Sequence, residues 1–102
     1  MTTDLMKAVS AERPDTLEAV LAKDFGSVDA VRYVFMERAD GPLLIWIAMD
    51  DTAPETRRRV YAKELSLIEG FPGIEFNFNL VASMGRSPEQ ICSSARVVYS
   101  RA

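Results

Sequence analysis

The longest uninterrupted apolar run in the chain is the stretch 43–49, LLIWIAM, which is followed directly by Asp50 and Asp51. An apolar run of this length between turn signals is typical of a β-strand that is buried on both faces. Other elements must therefore lie on either side of it.

The stretch 31–38 precedes this run and is rich in β-branched and aromatic residues, which favour a strand. Asp40-Gly41 separates the two stretches and is typical of a two-residue type I′ hairpin turn. A hairpin with that turn places Arg38 opposite Leu43 and Val34 opposite Ile47.

Side chains alternate between the two faces of a strand, so this register divides the hairpin into two faces. The first face carries Arg32, Val34, Met36, Leu43, Ile45, Ile47 and Met49. The second carries Val31, Tyr33, Phe35, Glu37, Leu44, Trp46, Ala48 and Asp50.

The segment Thr52-Ala53-Pro54-Glu55 has the pattern of a capping box and predicts a helix that runs to about Glu69. Residues 74–83 then alternate between apolar and polar side chains, which predicts a third strand. Together these elements form a ββαβ unit, an antiparallel hairpin followed by a right-handed parallel crossover. The sequence does not decide which strand the third one pairs with.

Helices are expected to flank this unit at both ends of the chain. The patterns predict two short N-terminal helices over 4–12 and 14–26, the second ending at Gly26 in the left-handed conformation. A second capping box, Ser87-Pro88-Glu89-Gln90, predicts a C-terminal helix. Its apolar face would carry Ile91, Cys92, Ala95, Val98 and Tyr99. The predicted fold is thus α+β, a mixed sheet of three main strands with terminal helices, in one domain spanning 1–102.

Charge and composition narrow the possible partners. The net charge of −3 works against attraction to phosphate backbones or anionic lipid, so nucleic acid is an unlikely partner. The first residues carry an early acid and no apolar stretch, and no run approaches the length of a membrane span, so we expect a cytoplasmic protein.

The chain contains one cysteine and no histidine, which excludes an internal disulfide, the familiar zinc motifs and every histidine-based catalytic triad. Cys92 lies on the predicted apolar face without a basic neighbour, which is typical of a packed side chain rather than a nucleophile. We predict no catalytic residues, no metal and no cofactor.

Two weak candidate ligand sites remain. Asp50 and Asp51 lie at the carboxyl end of a strand before a helix, where α/β proteins bind ligands and where carboxylates could hold Mg²⁺ with a nucleotide. Arg57 and Glu64 fall on the predicted inner face of the central helix beside Val60, Tyr61, Leu67 and Ile68, and an unpaired charge is costly there.

Tyr33, Phe35 and Trp46 form a candidate interaction surface. They face away from the crossover helix and must be covered by the terminal helices, a second subunit or a ligand, because monomers rarely expose such patches. Stacking of single-stranded RNA on these rings is disfavoured by the nearby Glu37 and Glu75.

These patterns favour a non-enzymatic module that binds itself as a homodimer or binds another protein. The alternative is a small-molecule or Mg-nucleotide binding protein, or a minor enzyme, that uses Asp50 and Asp51. The segment 61–81, with its Phe71-Pro72-Gly73 and Phe76-Asn77-Phe78 elements, resembles small bacterial proteins of unknown role, and this resemblance implies no mechanism.

Overall fold

A computed structural model describes residues 14–38 and 40–101, with side chains from residue 17 onward. Its elements, numbered here in chain order, are α1 Pro14–Gly26, β1 Val31–Arg38, β2 Leu43–Met49, α2 Pro54–Gly70, β3 Phe76–Ala82, α3 Pro88–Ile91 and β4 Arg96–Ser100. The predicted helix over 4–12 lies outside the described residues. The predicted helix over 14–26 is confirmed.

The strands form one mixed sheet in the order β3-β2-β1-β4. The hairpin register is as predicted, with Arg38 opposite Leu43 and Val34 opposite Ile47. Gly41 has a φ of 102°, in the left-handed region, and the turn type itself stays a prediction because Ala39 lies outside the described residues. The crossover through α2 makes β3 parallel to β2. The mixed α+β sheet is therefore confirmed.

The C-terminal helix was predicted wrongly, and this error accounts for the fourth strand. The capping-box residues do open a helix, in which the Ser87 backbone N–H donates to Gln90 Oε1 at 2.8 Å, but α3 ends at Ile91. Cysteine and serine follow, which are poor helix formers. The run Val97-Val98-Tyr99 favours a strand, and it pairs antiparallel with β1.

A register shift at the start of β1 changes which side chain faces the core. Val31, rather than Arg32, pairs with Met49, and Tyr33 pairs with Ala48, so Arg32 is the extra residue of a bulge. Val31 is fully buried as a result. Arg32 is released to the surface, where it binds Asp50.

Gly26 is needed at the end of α1 for close approach rather than for a left-handed turn. Its φ is not positive, contrary to prediction, and a Cβ at this position would lie 2.8 Å from the ring of Tyr99. Glycine therefore allows the end of α1 to contact β4.

The hydrophobic core lies between the two long helices and one face of the sheet, the first face of the predicted hairpin. It is formed by Leu17, Leu21, Phe25, Val28, Val31, Val34, Met36, Leu43, Ile45, Ile47, Met49, Val60 and Leu67. Phe78 of β3 joins it through an edge-to-face contact with Phe25, with ring centroids 6.1 Å apart.

The opposite face of the sheet is covered to a large extent within the monomer. Phe35 and Ala48 on this face are fully buried, while Tyr33 and Trp46 are half-buried. The connection 83–95 joins strands at opposite edges of the sheet, and its Ser94 hydroxyl donates to Glu37 on this face at 3.3 Å.

Candidate functional site

Asp50 is held by neighbouring side chains at the end of β2. Arg32 donates to it through Nη2 at 2.8 Å and through Nε at 3.0 Å, and the Ser83 hydroxyl donates to the other carboxylate oxygen. The hydrogen bonds from Arg32 and then from Ser83 lower the pKa of Asp50. The carboxylate thus joins the ends of β1 and β3 to β2.

Asp51 organises the start of α2. Its Oδ1 accepts from the Ala53 backbone N–H at 2.9 Å and its Oδ2 accepts from the Thr56 hydroxyl at 3.0 Å. The predicted capping box at Thr52 is wrong, because the helix begins one residue later than that pattern requires, with Ala53 as its N-cap. The Asp51 carboxylate, rather than the Thr52 side chain, is the hydrogen-bond acceptor at the start of the helix.

Both aspartates therefore already have protein partners. Across residues 14–38 and 40–101, no group of three His, Cys, Asp or Glu side chains lies close enough together to hold a metal ion. Within the chain the two carboxylates organise the corner between β2, β3 and α2, and ligand binding at this strand end stays a prediction.

The structure brings the other two candidate residues, Arg57 and Glu64, to a groove between α2 and β3. The groove has a volume of about 400 Å³. Its lining consists of Met49, Thr52, Arg57, Tyr61, Glu64, Phe78, Asn79 and Leu80. The site therefore lies between the edge of the inner face of α2 and the middle of β3, which is an edge strand.

Glu64 is the least compensated polar group in this groove. Its Oε2 is buried and has no hydrogen-bond partner among the described residues. Burial raises its pKa to about 7 from an ordinary value of 4.5, because desolvation disfavours the charged form.

Arg57 does not neutralise Glu64 within the chain. Arg57 is exposed, and within the described residues it forms no ion pair shorter than 4.0 Å. The two residues are seven positions apart, roughly 10 Å along the helix. The groove thus contains a carboxyl group and an arginine, neither of which forms an ion pair with another described residue.

The outer side of α2 carries an apolar stripe that the predicted helix face did not anticipate. Tyr61, Leu65 and Ile68 are 51%, 55% and 47% exposed and lie at spacings of four and three residues, so they share one helix face. Tyr61 and Ile68 were predicted to face inward with Val60 and Leu67, yet of these only Val60 and Leu67 are buried. Leu65 could have indicated this exposed face from the sequence. It makes the apolar arc of α2 wider than a single contact with the sheet can bury.

Among the described strands, β3 lies at an edge of the sheet, and Tyr61 of the stripe lines a groove with its middle residues. The Glu75 carbonyl accepts from Leu43 N–H, and Ser83 N–H donates to the Met49 carbonyl, both at 2.8 Å. Odd-numbered residues of β3 therefore direct their backbone groups toward β2. The even-numbered residues direct theirs outward, and these are Phe76, Phe78, Leu80 and Ala82.

The predicted aromatic surface is only partly available to a partner. Phe35 is fully buried, and the Trp46 Nε1 atom is buried without a hydrogen-bond partner among the described residues. Tyr33 packs against Phe35 with ring centroids 5.9 Å apart. Contact of a partner with Tyr33 or Trp46 stays a prediction.

Arg101 is an important structural residue that the sequence reasoning missed. It donates to the backbone carbonyls of Val31, Gly26 and Val28 at 3.0, 2.9 and 3.2 Å, and its guanidinium lies 5.6 Å from the centre of the Tyr99 ring. It thereby joins β4 to the end of α1. An arginine beside the chain end carries no pattern that identifies such a role.

No protein-family model, curated protein or solved structure matches this chain. Among the described residues, every helix is too short or too polar to cross a membrane. Inference about function therefore rests on the geometry of the α2 and β3 side of the molecule.

Proposed function

We propose that this protein is a homodimerising interaction module whose contact surface is the open side of the sheet. This α2–β3 surface consists of the exposed stripe Tyr61, Leu65 and Ile68 and the outward edge of β3. The observation that carries the proposal is the juxtaposition of two features: an apolar stripe about half exposed, and a strand whose outward backbone groups pair with no other described strand.

An edge strand with free N–H and C=O groups is a template for pairing with another strand. Residues 76–82, FNFNLVA, contain no charge and no proline, and β3 pairs with β2 without a register shift. The strand therefore lacks the usual features that prevent edge-to-edge association.

A second copy of the chain is the partner that this surface fits best. Around the α2 stripe, Arg57 and Arg58 lie near the start of the helix and Glu64 and Glu69 lie toward its end. A two-fold axis reverses the helix direction, so the basic end of one copy meets the acidic end of the other. The same surface is thus complementary to itself.

The test is the molar mass of the purified protein by sedimentation across micromolar concentrations. The native chain is expected to be a dimer, and Leu65→Glu a folded monomer, because a charge in the apolar stripe would be buried unpaired on association. Val97→Glu is the matched control, since Val97 is also an exposed apolar residue but lies on the opposite edge strand. A native chain that is strictly monomeric would refute the dimer.

A small-molecule binding protein is the second candidate, and its site moves from Asp50 and Asp51 to the groove. The observation that favours it is the Glu64 carboxyl, whose Oε2 has no partner among the described residues, in a groove of ligand size that Tyr61 and Thr52 also line. A ligand that binds the folded state must raise the melting temperature by mass action. A thermal-shift screen with Mg²⁺ and nucleotides, repeated on Glu64→Gln, tests this: a shift lost in the variant supports the groove, and no shift at millimolar ligand removes the candidate.

A further inference from the structure

The spacing of outward groups on β3 selects one register for the pairing of two copies. Phe76, Phe78, Leu80 and Ala82 are arranged symmetrically about Asn79, the middle of the strand. Antiparallel pairing centred on Asn79 places Phe78 opposite the partner's Leu80 and Phe76 opposite the partner's Ala82. Every outward N–H and C=O then finds a partner. If the pairing were centred on Phe78 instead, the outward backbone groups of Ala82 would have no partner in the other strand.

The residues that line the groove show where α2 lies relative to Asn79, the centre of the proposed pairing. Arg57, Tyr61 and Glu64 line the groove together with 78–80, so the turn of α2 around Tyr61 lies beside Asn79. Arg57 and Glu64 are on opposite sides of this point along the helix and on the same flank of the apolar stripe. A two-fold axis at Asn79 that is perpendicular to the sheet therefore brings the position of Arg57 in one copy next to that of Glu64 in the other.

We propose that the dimer is built by antiparallel pairing of β3 with the partner's β3 about Asn79, and that Arg57 of each protomer binds the partner's Glu64. This contact rests on the proposed homodimer and specifies its register. Two symmetry-related ion pairs then flank the axis, with the Tyr61 side chains between them.

No described residue of the same chain forms an ion pair with Glu64, so a residue of a second copy can bind it. The charged and titratable groups that line the groove with Glu64 are Arg57 and Tyr61, both on α2. The residues that β2, β3 and the loop before α2 contribute are neutral: Met49, Thr52, Phe78, Asn79 and Leu80. A guanidinium from the partner would satisfy the buried Oε2 atom, and burying an unpaired carboxylate on association would otherwise weaken the dimer.

The charge contact is tested by mixing two variants. Arg57→Glu and Glu64→Arg each place like charges across the axis, and each is expected to weaken self-association at least about tenfold. In a 1:1 mixture of the two, both contacts have opposite charges again, so a heterodimer of near-native affinity is expected. Arg59→Glu, an exposed change on the far side of the helix, is the control that leaves the dimer intact. Single variants with native affinity, or a mixture that does not associate, would overturn the contact.

The register is tested by a disulfide at the axis. Cys92→Ser removes the only thiol, and Asn79→Cys then places two cysteines opposite each other with Cα atoms about 4.5 Å apart, close enough for a disulfide. The matched control is Asn77→Cys on the same face, where the two Cα atoms would be about 14 Å apart. Mild oxidation should give a covalent dimer for Asn79→Cys only. Equal crosslinking at both positions, or none at position 79 of a dimeric protein, would refute the register.

The outcomes separate the two proposals. A native chain that is monomeric refutes the homodimer and this contact together. A native dimer without the crosslink and without association in the mixture leaves the homodimer and refutes the contact alone. The crosslink still decides the register if the Glu64→Arg variant does not fold.

Discussion

β4 and β3 are the two edge strands of one sheet, and they differ in length, regularity and charge. β4 has five residues, begins at Arg96 and has a register shift against β1. β3 has seven residues, no charge and an unbroken register. A short, bulged and charged edge resists pairing with other chains, whereas a long, regular and uncharged edge invites it.

The helices beside these edges differ in the same way. On α1, beside β4, the inward residues Leu17, Leu21 and Phe25 are buried, and Glu18 binds Arg96 at 3.0 Å. On α2, beside β3, only Val60 and Leu67 are buried. The inward residues of α1 are thus buried within the monomer, whereas α2 leaves apolar side chains exposed, as the proposed dimer requires.

The largest predicted difference concerns truncation of an apolar side chain on each side. Leu21→Ala on the α1–β4 side should lower the free energy of unfolding by about 2–5 kcal/mol, because the side chain is fully buried and its truncation leaves a cavity. Leu65→Ala should change the stability of the monomer by no more than about 0.5 kcal/mol, since its side chain is more than half exposed. Urea unfolding under monomeric conditions measures both values. Equal losses would contradict the distinction between the two sides.

Arginine substitutions provide a second comparison. Arg101→Met should cost about 2 kcal/mol of unfolding free energy, because three backbone carbonyls at the end of α1 lose their donor. Arg57→Met should leave the stability of the monomer near the native value and weaken only the dimer. Thermal unfolding and sedimentation of both variants check these outcomes, and a stable Arg101→Met variant would show that other contacts hold the α1–β4 side.

The pH dependence should have opposite signs for the monomer and the dimer. In the folded monomer the pKa of Glu64 is raised to about 7 from 4.5, so the neutral form is favoured and the free energy of unfolding falls as pH rises through this interval. In the proposed dimer the partner's Arg57 would favour the ionised form, so association should strengthen as pH rises toward the monomer pKa of about 7 and level off above it. Glu64→Gln should abolish both trends. Dimer affinity that falls with rising pH would contradict the ion pair.

The smallest effect is expected at the corner formed by Asp50. Asp50→Asn should cost about 0.5–1 kcal/mol, because its ion pair with Arg32 is more than a third exposed and solvent screens it. The pKa of Asp50 is lowered, so this contribution is present at neutral pH and is lost as pH falls below 3.8 toward the folded-state pKa. Acid titration of unfolding for both proteins measures it, and a loss of several kcal/mol would show that the corner is a buried structural centre instead.

Strong local patterns predicted much of the fold. The Asp40-Gly41 dipeptide predicted the hairpin register, and alternation identified β3. β4 was missed because the apolar residues from Ile91 to Tyr99 also fit a helical spacing. Whether this segment forms a helix or a strand is decided only by its pairing with the edge of β1, which is a tertiary effect.

The candidate site was predicted in part for a similar reason. Helical geometry marked Arg57 and Glu64 as unusual without showing what surrounds them. The direction of the α2 stripe and the engagement of Asp50 by Arg32 depend on packing and on the bulge in β1, neither of which has a local sequence signal. Glu64 was thus identifiable from the sequence, and its open groove was not.

Amide hydrogen exchange on β3, measured by NMR as a function of protein concentration, tests whether this edge of the sheet pairs with a second copy. Asn77, Asn79 and Val81 direct their N–H groups toward β2 and should be protected at every concentration. Phe76, Phe78 and Leu80 direct theirs outward and should gain protection as the concentration rises, because they become bonded only in the dimer. Outward amides that exchange rapidly at all concentrations, or that are equally protected at the lowest, would contradict pairing of this edge with a second copy.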